Sequence, residues 1–289
     1  MKLGIVTPVV TRLPRAHARW EADAGIAEIE RVVVEADRLG YHHVTCSEHV
    51  AVPVDVAERR GGTYWDPLAV FGYLAARTTT IRFATFVLVL GYHHPLEIVK
   101  RYGTLDTVSG GRLVLGVGVG SLEEEFDLLG ADFAERGARG DDAIRALRAS
   151  FGSEDPEYRG THYSFDDVLV RPAGLQAPPP IWIGGRTARS LRRALDLGDA
   201  WAPFGLSLDQ IRTMLSERSP GDVVLQPEPP VDPLDDPAAA RRAVASLRDA
   251  GATILNVRFV HHSCDHYCEQ LAAMRDLVDD EGVSTGSTS

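Results

Sequence analysis

Short apolar runs of strand length recur along the chain, and a stretch with helical spacing follows each of them. The runs at residues 3–6, 43–46, 83–90, 112–119, 181–183, 200–202, 223–226 and 253–260 are apolar nearly throughout, as strands covered on both faces are. Between them, residues 21–39 place Ile26, Ile29, Val33 and Ala36 on one face and stop at Gly40. Asp66-Pro67 and Pro95 open further helices, and the helical pattern returns at 139–149, 188–197, 208–215, 238–250 and 266–278. A strand, a crossover helix and a second strand force the two strands to lie parallel. Eight such pairs in 289 residues predict an α/β fold, a single (β/α)8 TIM barrel, better than an open sheet. Residues 151–180 break the rhythm with scattered aromatics and Ala177-Pro178-Pro179-Pro180. They read as a non-barrel insertion between strands 4 and 5, in the form of a hairpin. With no repeat and no linker, one domain is expected over 1–283 and a disordered tail over 284–289.

Charge and composition narrow the partners. A net charge of −11 argues against nucleic acid or an anionic membrane as a partner. The longest apolar run has strand length, and MKLGIVTP does not read as a signal peptide. Cys46, Cys264 and Cys268 form no disulfide framework. The expectation is a cytoplasmic protein acting on a small molecule.

In a parallel barrel the residues following each strand form the rim where active sites are built. After strand 2 come Ser47-Glu48-His49; His49 is placed to move a proton, or only to bond a loop. Tyr64 and Trp65 could wall a bound ring or anchor their loop, and His93 follows strand 3 at the same rim; these three are expected to face substrate. Gly116-Val117-Gly118-Val119-Gly120-Ser121 misses the G-x-G-x-x-G spacing. Its glycines either admit the flat face of a ligand or pack strands tightly. After strand 5, Gly184-Gly185-Arg186-Thr187 lead into a helix. Amides at a helix start favour a phosphate, and Arg186 adds a charge-assisted bond; the plainer reading is an ordinary turn. The run from His261 to Cys268 has zinc-like i,i+4 spacings, but Asp265 is equally an N-cap for the last helix. Strand 1 ends Val6-Thr7-Pro8 without a ligand, so no metal site is assigned.

Three segments carry a resemblance: 95–125 (LDTVSGGRLVLGVGVG…EEF), 135–147 (ERGARGDDAIRAL) and 179–201 (PPIWIGG…ALDLGDAW). From Leu3 to about Leu215 the chain resembles the bacterial-luciferase-like family of flavin- or deazaflavin-dependent oxidoreductases. The resemblance implies the barrel, and a strand-3 bulge near Phe86-Val87, often with a non-prolyl cis peptide, behind the cofactor ring. It implies ring contacts at Val119, Gly120 and Ser121, phosphate contacts at Gly184 and Gly185, and His49 beside the reacting ring. A homodimer is implied as well. The branch acting on a sugar phosphate has an acid directly after the strand-4 glycine, where this chain has Ser121. The late insertion that covers substrate in some members is short here, leaving 50–64 or a partner subunit as cover. Lysine is nearly absent (Lys2 and Lys100), a mark of GC-rich coding that tilts the cofactor to F420. The leading expectation is hydride transfer with F420, with FMN as the alternative cofactor in a monooxygenase using reduced FMN and O₂. A non-catalytic flavin- or deazaflavin-binding protein, or a metal-dependent hydrolase built on 261–268, are the remaining readings.

Overall fold

Eight short strands, all parallel, close on themselves in the computed structural model, which describes residues 1–14 and 17–284. They are β1 (Lys2–Val6), β2 (His43–Cys46), β3 (Arg82–Thr85), β4 (Leu113–Gly118), β5 (Ile181–Gly184), β6 (Ala200–Ala202), β7 (Asp222–Leu225) and β8 (Ile254–Val257). Each pairs with the next, and β8 pairs back to β1 in the register Lys2↔Ile254 to Ile5↔Val257. This is a (β/α)8 barrel. Alternation along the strands sorts the side chains. Ala84, Val114, Trp182, Ala200, Ala202, Val224 and Ile254 form one cluster inside it. Leu3, Ile5, Val44, Phe83, Leu115 and Ile183 belong to a second cluster with the helices. Inside, the His43 ring meets Trp182 edge to face at 4.9 Å. A Cβ on Gly4 would fall 2.1 Å from that imidazole, so β1 has to be bare there.

The apolar run at 83–90 is not one strand. β3 stops at Thr85, and Leu88–Val89 resume pairing with β4. Ala84 faces Val114 and Leu88 faces Val117, so four steps along the first strand span three along the second. The extra residue is a bulge, and it holds the non-prolyl cis bond Phe86–Val87, where the family resemblance placed an irregularity. Gly116 lies against the break: a Cβ there would come 1.9 Å from the Thr85 carbonyl oxygen.

The helices are α1 (Ile26–Arg38), α2 (Val54–Arg60), α3 (Pro67–Ala75), α4 (Pro95–Val108), α5 (Glu123–Leu129), α6 (Arg136–Ser150), α7 (Ala188–Leu197), α8 (Leu208–Leu215), α9 (Pro237–Asp249) and α10 (Cys264–Ser284). The helix expected from residue 21 begins at Ile26, because a separate 3-10 turn, Arg19–Ala22, precedes Gly25. α2 and α5 escaped the periodicity, being a turn or two long and rich in charge. The cap of α10 is also not as expected: Ser263 Oγ accepts the His266 amide at 3.0 Å, and Asp265 instead pairs with Arg31. The insertion carries the expected hairpin, Tyr158–Arg159 against Ser164–Phe165. Two buried aspartates dock it. Asp142 accepts the Tyr158 hydroxyl and the His162 amide, and Asp106 accepts the amides of Leu175 and Gln176 at 2.8 and 2.9 Å. Residues 285–289, the greater part of the expected tail, lie outside the described residues. No helix among the described residues is long and apolar enough to cross a membrane.

Asp37, at the end of α1, ties that helix to the start of β3. It accepts the amides of Thr79, Thr80 and Ile81 at 2.7, 2.9 and 2.6 Å and both threonine hydroxyls. Burial alone would raise its pKa, but the bonds from Thr80, Thr79 and Ile81 outweigh it and draw the group from 3.8 to about 2. A depressed folded pKa means stability that is present above pH 3.8 and lost as pH falls through about 2. Asp37→Ala is expected to lower the unfolding free energy by about 2 kcal/mol at neutral pH. Chemical denaturation repeated down to acid should show the gap to wild type closing.

Candidate active site at the C-terminal mouth of the barrel

The carboxyl ends of the strands surround a cavity of about 300 Å³. Nine residues singled out from the sequence line it together: His49, Tyr64, Phe86, Val87, Val119, Gly120, Ser121, Gly184 and Gly185. Trp65, His93 and Arg186 are not in its wall. Trp65 packs on the core and its carbonyl accepts the Cys46 thiol at 3.4 Å. His93 stands behind Glu48, and Arg186 is exposed beside Gly205.

Adjacent side chains after β2 diverge into two carboxylate–imidazole pairs. His49 Nδ1 lies 2.6 Å from Glu125 Oε2, and Glu48 Oε1 lies 2.7 Å from His93 Nε2. Glu125 is fully buried and takes three further bonds, from Tyr92 OH at 2.7 Å and the amides of Val50 and Ala51 at 2.6 and 3.0 Å. Burial pushes its pKa up, but the bonds from His49, Tyr92 and Ala51 prevail and hold it below the usual carboxylate value. The carboxylate is therefore ionised and Nδ1 of His49 must donate, which in the neutral ring fixes the tautomer and leaves Nε2 as the acceptor. The Tyr64 ring braces this imidazole edge to face at 4.5 Å. On the other pair, burial lowers the pKa of His93, but the Glu48 bond and charge raise it above its ordinary value overall.

Most other polar groups of the wall are already engaged. Ser47 donates to the Phe86 carbonyl at 2.9 Å, Tyr64 to the Arg60 carbonyl at 2.8 Å, and Tyr92 to Glu125; Ser121 Oγ accepts from Arg60 at 3.2 Å. Thr11 Oγ1 has no partner among the described residues, but it is itself covered. His49 is the ionisable side chain of the wall that retains an uncommitted nitrogen.

The glycines have a structural cause in addition to any ligand. A Cβ on Gly118 or Gly184 would lie 2.7 or 2.8 Å from the Val87 methyls, and one on Gly185 would lie 2.6 Å from Ser190 Cβ. Gly185 also has φ +140°. Bare backbone on β4 and β5 thus makes room for the bulge residue, and the same bareness leaves a flat wall in the cavity. Gly184-Gly185 lead straight to α7, where Thr187 and Ser190 cap each other. That box engages the Ser190 amide and leaves the Ala188 and Arg189 amides of the first turn without an intrahelical partner.

The His261–Cys268 run does not converge on a metal. His261 Nδ1 accepts the Trp20 indole N–H at 2.9 Å, His262 stacks on His266 at 4.0 Å, and Cys264 points at the Glu28 carbonyl. No group of three or more His, Cys, Asp or Glu among the described residues is placed to hold an ion.

The sequence reading passed over Glu125 and Glu48. Glu125 sits in the run Glu123-Glu124-Glu125, which reads as a solvated acidic face. Its signal was the spacing: Leu122, Glu125 and Phe126 share one helical face, and all three are buried. Glu125→Gln keeps the shape but removes the charge that four donors share. It is expected to cost about 1–3 kcal/mol of stability and to release the His49 tautomer, read from the ring nitrogen shifts by NMR. Because the folded carboxyl is held below 4.5, its contribution is present above that pH and lost below it, and the variant should lack that acid limb.

The chain is similar to several known proteins. An uncharacterised protein of Mycobacterium tuberculosis is 30% identical over 193 residues, 63% of this chain and 66% of the relative. The 4-hydroxyprotoasukamycin monooxygenase of Streptomyces nodosus subsp. asukaensis is 31% identical over 172 residues, 60% of this chain and 41% of the relative. The matches thus span about two thirds of the first relative and less than half of the second. Among solved structures, monooxygenase RslO1 from Streptomyces bottropensis superposes with a TM-score of 0.78 at 21% identity, covering 98% of this chain and all (100%) of that one. The coenzyme F420-dependent tetrahydromethanopterin reductase from Methanopyrus kandleri does so with 0.73 at 14% identity, covering 96% and 99%. These two likenesses show the fold. The family model for luciferase-like monooxygenases matches residues 1–285, and the chain belongs to that family.

Proposed function

We propose that the cavity holds a deazaflavin of the F420 type and that the chain is an oxidoreductase for a small organic substrate. The carrying observation is His49, whose Nδ1 is bound to buried Glu125 and whose Nε2 remains free in the wall. The residues fit such a group: bare backbone at Gly118, Gly120, Gly184 and Gly185 gives a flat ring room, with Phe86 and Val87 behind it. The unpartnered amides of α7, with Arg186 beside them, suit its phosphate.

When bound, the deazaflavin supplies hydride transfer to or from the substrate carbon. The protein's own part is orientation and one proton. His49 Nε2 accepts that proton when substrate is oxidised and returns it when substrate is reduced. Glu125 stabilises the imidazolium formed, and Tyr64 keeps the ring from turning. This arrangement favours turnover over passive binding, since a binding protein has no use for an imidazole with a fixed tautomer in the wall.

A second reading, a monooxygenase using reduced FMN and O₂, is favoured by the monooxygenases among the similar proteins. The same residues would then hold FMN and keep water from the reacting face.

Titration of the apoprotein with F420 and with FMN, followed by the bound chromophore, separates the two. His49→Ala is expected to lower turnover by about 10²–10⁴-fold with little change in cofactor affinity. Turnover by wild type only with reduced FMN and O₂ would overturn the F420 reading in favour of the second. A loss of cofactor affinity with turnover restored at saturation would make His49 a ring-positioning residue.

A further inference from the structure

Phe204, two residues past β6, is the shared wall of two hollows. One is the cavity described above; the other, about 410 Å³, lies between α8 and α9 with Leu225 of β7 at its floor. Ile211 of α8 and Leu247 of α9 form its apolar sides. Phe204 is 53% exposed, so core packing does not account for a large aromatic at this point. Among the described residues that line the second hollow, Glu228 carries the one charge and faces solvent; Arg186 lies next to Gly205 at its edge without lining it.

We propose that this hollow is a side pocket of the active site and takes the uncharged, apolar, non-reacting part of the substrate. The proposal rests on reading the neighbouring cavity as the cofactor site. Charge sorts the two ends. An anionic cofactor phosphate is drawn to the amides at the start of α7, whereas the residues lining the hollow include one carboxylate and no cation. A phosphorylated or carboxylated substrate tail is disfavoured there, and an aliphatic or aromatic one gains by leaving water. The volume falls within the range, about 300–1,000 Å³, of pockets that enclose small organic ligands. Binding energy gathered at this distance from the reacting atoms is what holds a substrate in register for His49.

The test uses the full-length protein and two fluorescent probes, neutral N-phenyl-1-naphthylamine and anionic 8-anilinonaphthalene-1-sulfonate. Wild type is expected to bind the neutral probe saturably and the anionic one at least ten-fold more weakly, with the gap narrowing in Glu228→Gln. Ala243→Trp, which fills the hollow from α9, is expected to weaken the neutral probe at least ten-fold while leaving F420 and FMN titrations unchanged. Ser246→Leu serves the same purpose if circular dichroism shows that the tryptophan variant does not fold. Because Phe204 touches both spaces, saturating neutral probe should change cofactor affinity at least three-fold in wild type, and less in Phe204→Ala. Equal binding of the two probes, or probe affinity unmoved by the filling variants, overturns the proposal. So does the absence of coupling to the cofactor, which would make the hollow a separate site. Failure of wild type to bind either cofactor would instead refute the cavity reading, while probe binding would still report on the hollow.

Discussion

One extra residue in β3 sets the geometry of the mouth. Four steps from Ala84 to Leu88 lie against three from Val114 to Val117, and the surplus must go somewhere. It goes inward as Phe86-Val87, and the neighbouring strands accommodate it by having no side chains. Gly116 yields to the Thr85 carbonyl, and Gly118 and Gly184 yield to the Val87 methyls. Three strands are thus fitted around a single crowded point at interior packing density, where a methyl group cannot be added without displacement. The bare wall that follows from this crowding is also the surface on which a planar cofactor can rest.

The fold was legible because a barrel strand is buried on both faces and leaves an unbroken apolar run, even when it is three residues long, as in β6. The insertion was legible by contrast, through its prolines and its loss of period. The break within 83–90 was not visible in hydrophobicity, since the bulge residues Phe86 and Val87 are as apolar as their neighbours. It was the resemblance to a family that located it. α5 was hidden because its acids outnumber its apolar residues, and only their spacing shows which side is buried.

The site was legible in part, and the divisions have physical reasons. Glycines and a histidine at strand ends are rare enough to stand out, and His49, Gly120, Gly184 and Gly185 meet in one cavity with five other expected positions. His93 has the same chemistry and the same kind of position, but the neighbouring Glu48 holds it outside the wall. Sequence shows which groups can titrate and not which way they turn. Trp65 and Arg186, adjacent to Tyr64 and Gly185, likewise lie outside the cavity wall, Trp65 on the core and Arg186 exposed next to Gly205. Glu125 was missed because an acid next to other acids reads as surface, and Glu48 because its neighbour His49 has the more evident chemistry, while the importance of both comes from the donors that gather on them.

Glu48 and His49 are consecutive, but each is paired with a residue from a different loop, Glu48 with His93 after β3 and His49 with Glu125 after β4. Three loops that would otherwise be free to drift are thereby written as one word. A lineage that exchanges His49 for a neutral side chain leaves a buried anion at 125 with one donor fewer, and a lineage that loses Glu48 leaves His93 without its partner. Change at this mouth therefore has to come in matched pairs. New specificities can arise more readily on the β6 and β7 side of the cavity, where among the described residues no carboxylate–imidazole pair joins the loops and the tie is made by backbone at Val231, than on the side that holds the proton.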